Sequence, residues 1–144
     1  MRHKLGLSVP AIILLAAIAA IRVPLHDLGV VPDGSVVAGL LVFVPLAIWL
    51  VVVLQQRVPN PFLALTVVGV AYGVMLAVIH QLLWGAAFDG SPLRLGGNLE
   101  GVLDPGLEAV VFRTSAFFSS LVTGAVLGAI VGTIAWMIGR VRRP

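Results

Sequence analysis

The 144-residue chain contains no cysteine, which excludes disulfides, thiolate metal sites and cysteine nucleophiles. Charged residues are scarce as well: they make up 10% of the chain, against roughly a quarter of a soluble domain. Lysine occurs once, at Lys4, and the arginines flank apolar stretches instead of lining a solvated helix face. We therefore expect no nucleic-acid partner, despite the net charge of +3.

Apolar residues, by contrast, make up 60% of the chain and are concentrated in four long runs. We place these runs at residues 5–31, 36–55, 62–88 and 109–139. Each can cross a hydrocarbon layer of about 30 Å, and it must do so as a helix because lipid offers the backbone no hydrogen bonds. The sequence thus predicts an all-α fold, with residues 1–144 forming one integral membrane four-helix bundle in the lipid bilayer.

Polar residues and prolines mark the predicted helix boundaries. Asn60 and Asp104 each precede a proline, a combination that is typical of an N-cap followed by the first helical position. Two further prolines, Pro24 and Pro45, lie inside apolar runs, where proline removes a helical hydrogen bond. We therefore predict helix starts directly after Asn60 and Asp104, and kinks near Pro24 and Pro45.

Charge is distributed unevenly between the two ends of the predicted bundle. All acidic residues fall in two of the connections: Asp27, Asp33, Asp89, Glu100, Asp104 and Glu108. Six of the nine basic residues fall at the other end: Arg2, Lys4, Arg57, Arg140, Arg142 and Arg143. Because basic residues are retained in the cytoplasm during insertion, this asymmetry predicts N-in and C-in termini and one longer extracytoplasmic loop between the third and fourth spans. The Ala-, Val-, Gly-, Leu- and Arg-rich composition favours a bacterial inner-membrane protein.

Five polar side chains lie in the spans at the acidic end, and they form our candidate polar pocket: Arg22, His26, His80, Gln81 and Arg113. Ionisable groups at membrane depth are costly and mark candidate functional sites. The two arginines offer forked donors for the phosphate or carboxylate of an anionic lipid or another small anion. For Arg22 and Arg113 the alternatives are interfacial anchoring or pairing with loop carboxylates such as Asp27 and Glu108. For His80 the alternative is an interhelical hydrogen bond.

Glycines at four-residue spacing mark a candidate packing surface. Gly124, Gly128 and Gly132 form a glycine zipper in the fourth span, and Gly69 and Gly73 form a shorter one in the third. Small residues at this spacing allow close backbone approach in lipid. The pattern fits packing of the third span on the fourth within one chain. It fits equally well a homo-oligomer, or a membrane-protein partner, held through the fourth span.

Enzymatic chemistry is not expected from this sequence. Hydroxyl side chains cluster in the fourth span: Ser115, Ser119, Ser120 and Thr123. A hydroxyl nucleophile needs an oriented base, and the hydropathy pattern leaves no carboxylate at membrane depth to orient His80. Phosphate-loop, dinucleotide and zinc-protease motifs are missing, and the histidines do not cluster, so we expect no catalytic residue, cofactor or metal.

The sequence therefore favours a small polytopic membrane protein with a structural, accessory or ligand-binding role, which self-associates or binds a membrane partner through the fourth-span zipper. The alternative is an oligomeric ion or small-anion channel or transporter with an outward-facing polar vestibule. The inner half of every predicted span is almost wholly apolar, which argues against a continuous hydrated pore.

Overall fold

The computed structural model describes most of the chain as helices and connecting segments. It covers residues 5–32, 34–88, 91 and 93–141, and no strand occurs among these residues. Four helical segments are long and apolar enough to cross a membrane: Val9–Asp27, Val36–Gln55, Pro61–Leu82 and Pro105–Val141. The predicted all-helical class and the number of spans are thereby confirmed.

The helices follow one another with short connections. In chain order they are α1 (Val9–Ala20), α2 (Arg22–Asp27), α3 (Val36–Gln55), α4 (Pro61–Leu82), α5 (Trp84–Ala87) and α6 (Pro105–Val141), with a 3₁₀ turn at Gly97–Leu99. The first span is divided at Ile21, just before Pro24, whose missing N–H leaves a carbonyl of the preceding turn without its usual partner. By contrast, α3 passes through Pro45 without interruption.

Polar side chains cap the start of each long helix. In every case a side-chain oxygen accepts a hydrogen bond from the backbone N–H three residues later, at 3.4 Å for Ser8, 3.1 Å for Ser35, 3.0 Å for Asn60 and 3.1 Å for Asp104. These bonds satisfy first-turn donors that have no partner within the helix. The helix starts predicted after Asn60 and Asp104 are confirmed.

The bundle is arranged around α4. Its most extensive packing is against α6, and it also contacts α1 and α3. The four largest fully buried side chains are Trp49, Val53, Leu65 and Val68, in the half of the bundle nearest the connection between α3 and α4. The Trp49 indole Nε1 donates to the Leu15 carbonyl at 2.8 Å, which joins α3 to α1. This half of the bundle is therefore filled by apolar side chains.

Glycine backbones form the contact between α4 and α6. A Cβ built at Gly69 would meet the backbone of Gly124 and Gly128, and one built at Gly124 would lie 2.6 Å from the Gly73 Cα. Gly132 faces the backbone at the start of α4 in the same way. The zipper thus joins α4 and α6 within one chain, which is one of the uses that the sequence left open.

Candidate functional site

The structure divides the five predicted pocket residues between two polar groups and one separate arginine. His26 and His80 both contact the Asp27 carboxylate. Gln81 and Arg113 instead hydrogen-bond to each other. The fifth residue, Arg22, forms no hydrogen bond or ion pair with the residues of either group.

Asp27 is the last residue of α2, and its side chain is only 6% exposed. His26 Nδ1 lies 3.2 Å from Asp27 Oδ1, and His80 Nε2 lies 3.7 Å from Oδ2. The second distance is too long for a hydrogen bond but short enough for strong attraction between an imidazolium and a carboxylate. Consistent with this, Oδ2 accepts no hydrogen bond in the structure.

His80 connects this carboxylate to the last span. It lies in the last turn of α4, and its Nδ1 is 3.4 Å from the Ser120 Oγ of α6. The Ser120 hydroxyl donates to the Ala116 carbonyl at 2.7 Å. Because a hydroxyl has a single proton, we assign Ser120 Oγ as the acceptor of an N–H from His80 Nδ1.

With Nδ1 as the donor, the contact between His80 Nε2 and the Asp27 carboxylate depends on whether a second proton is present. With its first proton on Nδ1, a neutral His80 would turn the Nε2 lone pair towards the Asp27 carboxylate, and the two would repel. The contact becomes attractive when a proton lies on Nε2 or on Asp27 Oδ2. We call His26, Asp27, His80 and Ser120 the Asp27 cluster.

The Asp27 cluster contains an aspartate, a histidine and a serine in contact order, as hydrolase triads do. The expectation that no carboxylate reaches His80 is therefore wrong. Ser120, however, is 2% exposed, its proton is held by its own helix, and its carbonyl would lie 2.9 Å from a Cβ at Gly73. Ser120 Oγ is therefore buried against α4, and its proton is bonded within its own helix.

Asp27 and Ser120 were not among the pocket residues chosen from the sequence. Asp27 falls at the end of the apolar run 5–31, and its charge grouped it with the acidic residues of the following connection; in the structure it is the last residue of α2. The available signal was its position next to His26. Ser120 carried a weaker signal, because it lies four residues before Gly124 on the packed face of the last span.

Gln81 and Arg113 form a separate exposed pair. Gln81 Nε2 donates to the Arg113 carbonyl at 2.9 Å, and Arg113 Nη1 donates to Gln81 Oε1 at 3.2 Å. The guanidinium also lies 5.1 Å from the centre of the Trp84 ring. Arginine, amide and indole together are suited to the interface between lipid and water, in line with the anchoring role considered for Arg113.

Arg22 begins α2, one helical turn before His26. Its Nε is buried and makes no hydrogen bond, which is costly for a guanidinium. No hydrogen-bonding partner is shared by Arg22 and Arg113. Within the described chain, the expected pair of guanidinium groups around one anion is therefore not assembled at these two residues.

A further polar contact fastens the connection before α6. Glu108, in the first turn of α6, has a side chain that is 3% exposed and lies 3.0 Å from Arg94 Nη1. The Leu95 backbone N–H donates to the same carboxylate at 3.4 Å. A carboxylate in the first turn also interacts favourably with the helix dipole. Glu108 was considered from the sequence as a partner of Arg22 or Arg113, whereas its observed partner, Arg94, carried no signal there.

The Asp27 cluster is the group of described residues in which a buried carboxylate, imidazoles and a hydroxyl meet, and it joins three helices. Within the described ranges, no group of three or more metal-binding side chains is arranged to hold a metal ion. No protein-family model, curated protein or solved structure matches this chain.

Proposed function

We propose that the protein is an accessory, ligand-binding bundle of the bacterial inner membrane, without catalytic activity, and that its ligand is a proton taken up at the Asp27 cluster. The observation that carries this proposal is the position of the His80 ring, 3.7 Å from Asp27 Oδ2 and 3.4 Å from Ser120 Oγ. Chains of acidic and histidine side chains inside spans are typical of membrane proteins that handle protons.

Proton binding would act through the position of α2. A protonated His80 donates from both ring nitrogens, so that Ser120 of α6 and Asp27 of α2 are held to the end of α4. Loss of the proton leaves a lone pair facing the carboxylate and weakens this link. Because α2 is six residues long and Pro24 removes a helical hydrogen bond between it and α1, it can tilt while α1 stays helical.

The proton is taken up from, and released to, the same side of the membrane. The opposite half of the bundle is filled by Trp49, Val53 and Leu65, each at most 1% exposed. This packing supports a bundle that binds a proton from one side, and it argues against the alternative of an ion or small-anion channel or transporter. With N-in and C-in termini, the Asp27 cluster faces the extracytoplasmic side. The zipper glycines are occupied within the chain, so a homo-oligomer or a partner complex would use other helix faces.

The distance between α2 and the end of α4 should depend on pH. Spin labels at Leu28→Cys and Leu82→Cys, two exposed positions after α2 and at the end of α4, report the distance between these helices in a chain that has no other cysteine. The linked state binds one proton more than the released state, so the ratio of linked to released molecules falls by up to tenfold per pH unit as the pH rises. We expect one short distance at acidic pH and an added longer one at alkaline pH.

Three variants separate this mechanism from a general effect of pH. We expect His80→Asn and Asp27→Asn to give distance distributions that do not change with pH. His3→Asn, which removes a histidine at the other end of the predicted topology, should respond like wild type. A wild-type distribution that is identical at both pH values, or a pH response that persists in His80→Asn, would contradict the proposal.

A further inference from the structure

The end of the bundle away from the Asp27 cluster contains a cavity of about 1080 Å³. It lies between the end of α3, the connection to α4 and the last turns of α6. Its lining includes Val53, Leu54, Gln55, Arg57, Trp136 and Arg140. No acidic residue occurs between residues 34 and 88 or after Glu108, so the two arginines face no carboxylate in this lining.

The two arginines are presented in different ways. The Arg140 guanidinium stacks on Trp136, 4.1 Å from the ring centre, which fixes its place on the cavity wall. Arg57 follows α3 with a φ of +49°, a left-handed conformation that side chains other than glycine and asparagine rarely adopt. Neither guanidinium forms an ion pair with any described residue. The conformation of Arg57 ends α3 in a Schellman motif, in which the Arg57 N–H donates to the Leu54 carbonyl at 3.3 Å and the Val58 N–H donates to the Val53 carbonyl at 3.1 Å.

A second cavity lies beside the first, on the other side of Trp136. It measures about 380 Å³ and is lined by Asn60, Phe62, Thr133 and Trp136, so that Trp136 borders both cavities. Thr133 lies one helical turn deeper along α6 than Trp136, and its hydroxyl is already bonded to the Ala129 carbonyl at 2.8 Å. The first cavity is therefore lined by two arginines, and the neighbouring one is lined by the aromatic rings of Phe62 and Trp136.

We infer that these cavities bind an anionic phospholipid. The phosphate lies between Arg57 and Arg140, where it receives charge-assisted hydrogen bonds, and an acyl chain follows Trp136 and Phe62. The carboxyl ends of α3 and α6 oppose an anion with a partial charge of about −0.5 each, but each guanidinium contributes a full positive charge. A choline headgroup would add a cation beside both arginines, so an anionic lipid is favoured over a zwitterionic one.

Native mass spectrometry of the detergent-solubilised full chain tests this site. We expect phosphatidylglycerol to be retained about tenfold more than phosphatidylcholine, and the R57Q/R140Q variant to lose that preference, since its two charged donors are removed. Inorganic phosphate at the same concentration should not displace the lipid, because it lacks the acyl chain. Full displacement by phosphate would identify a free-anion site and overturn the lipid assignment.

Two further variants distinguish loss of the lipid-binding site from unfolding of the protein. Arg113→Gln removes the same charge at the other end of the bundle, and it should retain phosphatidylglycerol like wild type. Arg57→Gln alone changes an exposed side chain without hydrogen-bonding partners among the described residues, so it should keep the fold and still retain less lipid. Equal retention of both lipids by wild type, or unchanged retention of phosphatidylglycerol by folded R57Q, would overturn the inference.

Discussion

Two carboxylates are buried in the described chain, Asp27 and Glu108, and they are held by different partners. Asp27 lies beside imidazoles, a type of side chain that exists in a neutral and a charged form, whereas Glu108 lies beside the guanidinium of Arg94. The first contact is therefore suited to switching. The second is suited to holding the connection before α6 permanently against the helix.

The contact made by Glu108 can be tested with trypsin. Arg94 is the only basic residue between Arg57 and Arg113, so tryptic cleavage after it reports release of the connection. We expect Glu108→Gln to accelerate this cleavage about tenfold, because a hydrogen bond between charged groups contributes roughly 1.5–3 kcal/mol. Glu100→Gln, at an exposed position, is the matched control. Equal cleavage rates in Glu108→Gln and wild type would show that the ion pair does not hold the connection.

Single residues were only partly predictable from the sequence. His80 and Arg22 stand out because ionisable groups are rare inside apolar runs. The burial of Asp27 depends on α2 continuing past Pro24 and packing near the end of α4, which no local pattern specifies. Pairing across helices, such as that of Gln81 with Arg113, likewise depends on helix neighbours that are 32 residues apart in sequence.

At the scale of the helices, the contact between α4 and α6 depends on the absence of side chains. A methyl group at Gly69 would collide with backbone atoms of α6, including the Gly128 Cα at 2.7 Å, and backbone cannot give way as a flexible side chain can. We expect Gly69→Ala to lower the free energy of unfolding by about 1–3 kcal/mol through overpacking. Denaturation of the detergent-solubilised protein in SDS, followed by circular dichroism, measures this change.

Gly39→Ala in α3 is the matched control, because no atom lies within 4 Å of a Cβ at that position. It should be neutral or stabilise the helix by up to about 1 kcal/mol. Size-exclusion chromatography distinguishes the two roles of the zipper that the sequence allows, which are packing within one chain and association between chains. If Gly69→Ala dissociates an oligomer while the unfolding of the protomer is unchanged, the glycines join separate chains and the packing of α4 on α6 is not their role.

Helix boundaries were predictable where a polar cap marks them, and less so where hydropathy alone was available. Asn60 and Asp104 correctly located the starts of α4 and α6. The third span was expected to continue to residue 88, but α4 ends at Leu82 and the apolar residues that follow form the short α5. Hydropathy indicates which residues avoid water, but it does not indicate where the backbone leaves the helical conformation, so it does not locate the end of a helix.

For the molecule as a whole, the separation of charge predicts that the residues between α5 and α6 face outward and those between α3 and α4 face the cytoplasm. The cysteine-free chain allows a direct test with single replacements at two exposed positions, Ser91 and Gln56. We expect Ser91→Cys to react with a membrane-impermeant maleimide in intact bacteria, and Gln56→Cys to react only after permeabilisation. The reverse labelling pattern would invert the topology and place the Asp27 cluster on the cytoplasmic side.

The number of spans followed from composition, but their arrangement did not. Hydropathy does not reveal that α4 lies between α1 and α6, or that α1 and α6 share no contact within the described ranges. The Asp27 cluster arises from this arrangement, because its residues come from α2, α4 and α6. A site assembled from three helices is therefore visible in the sequence only as isolated polar residues.

The length of α6 restricts how the protein can sit in a bilayer. Its 37 residues extend about 55 Å, so confinement to a hydrocarbon layer of about 30 Å would need a tilt of about 57°. Spanning helices tilt by up to about 40°, an angle at which about 26 residues fit. Roughly three turns of α6 must then stand in the headgroup layer or in water, where a soluble partner can reach them without entering the lipid.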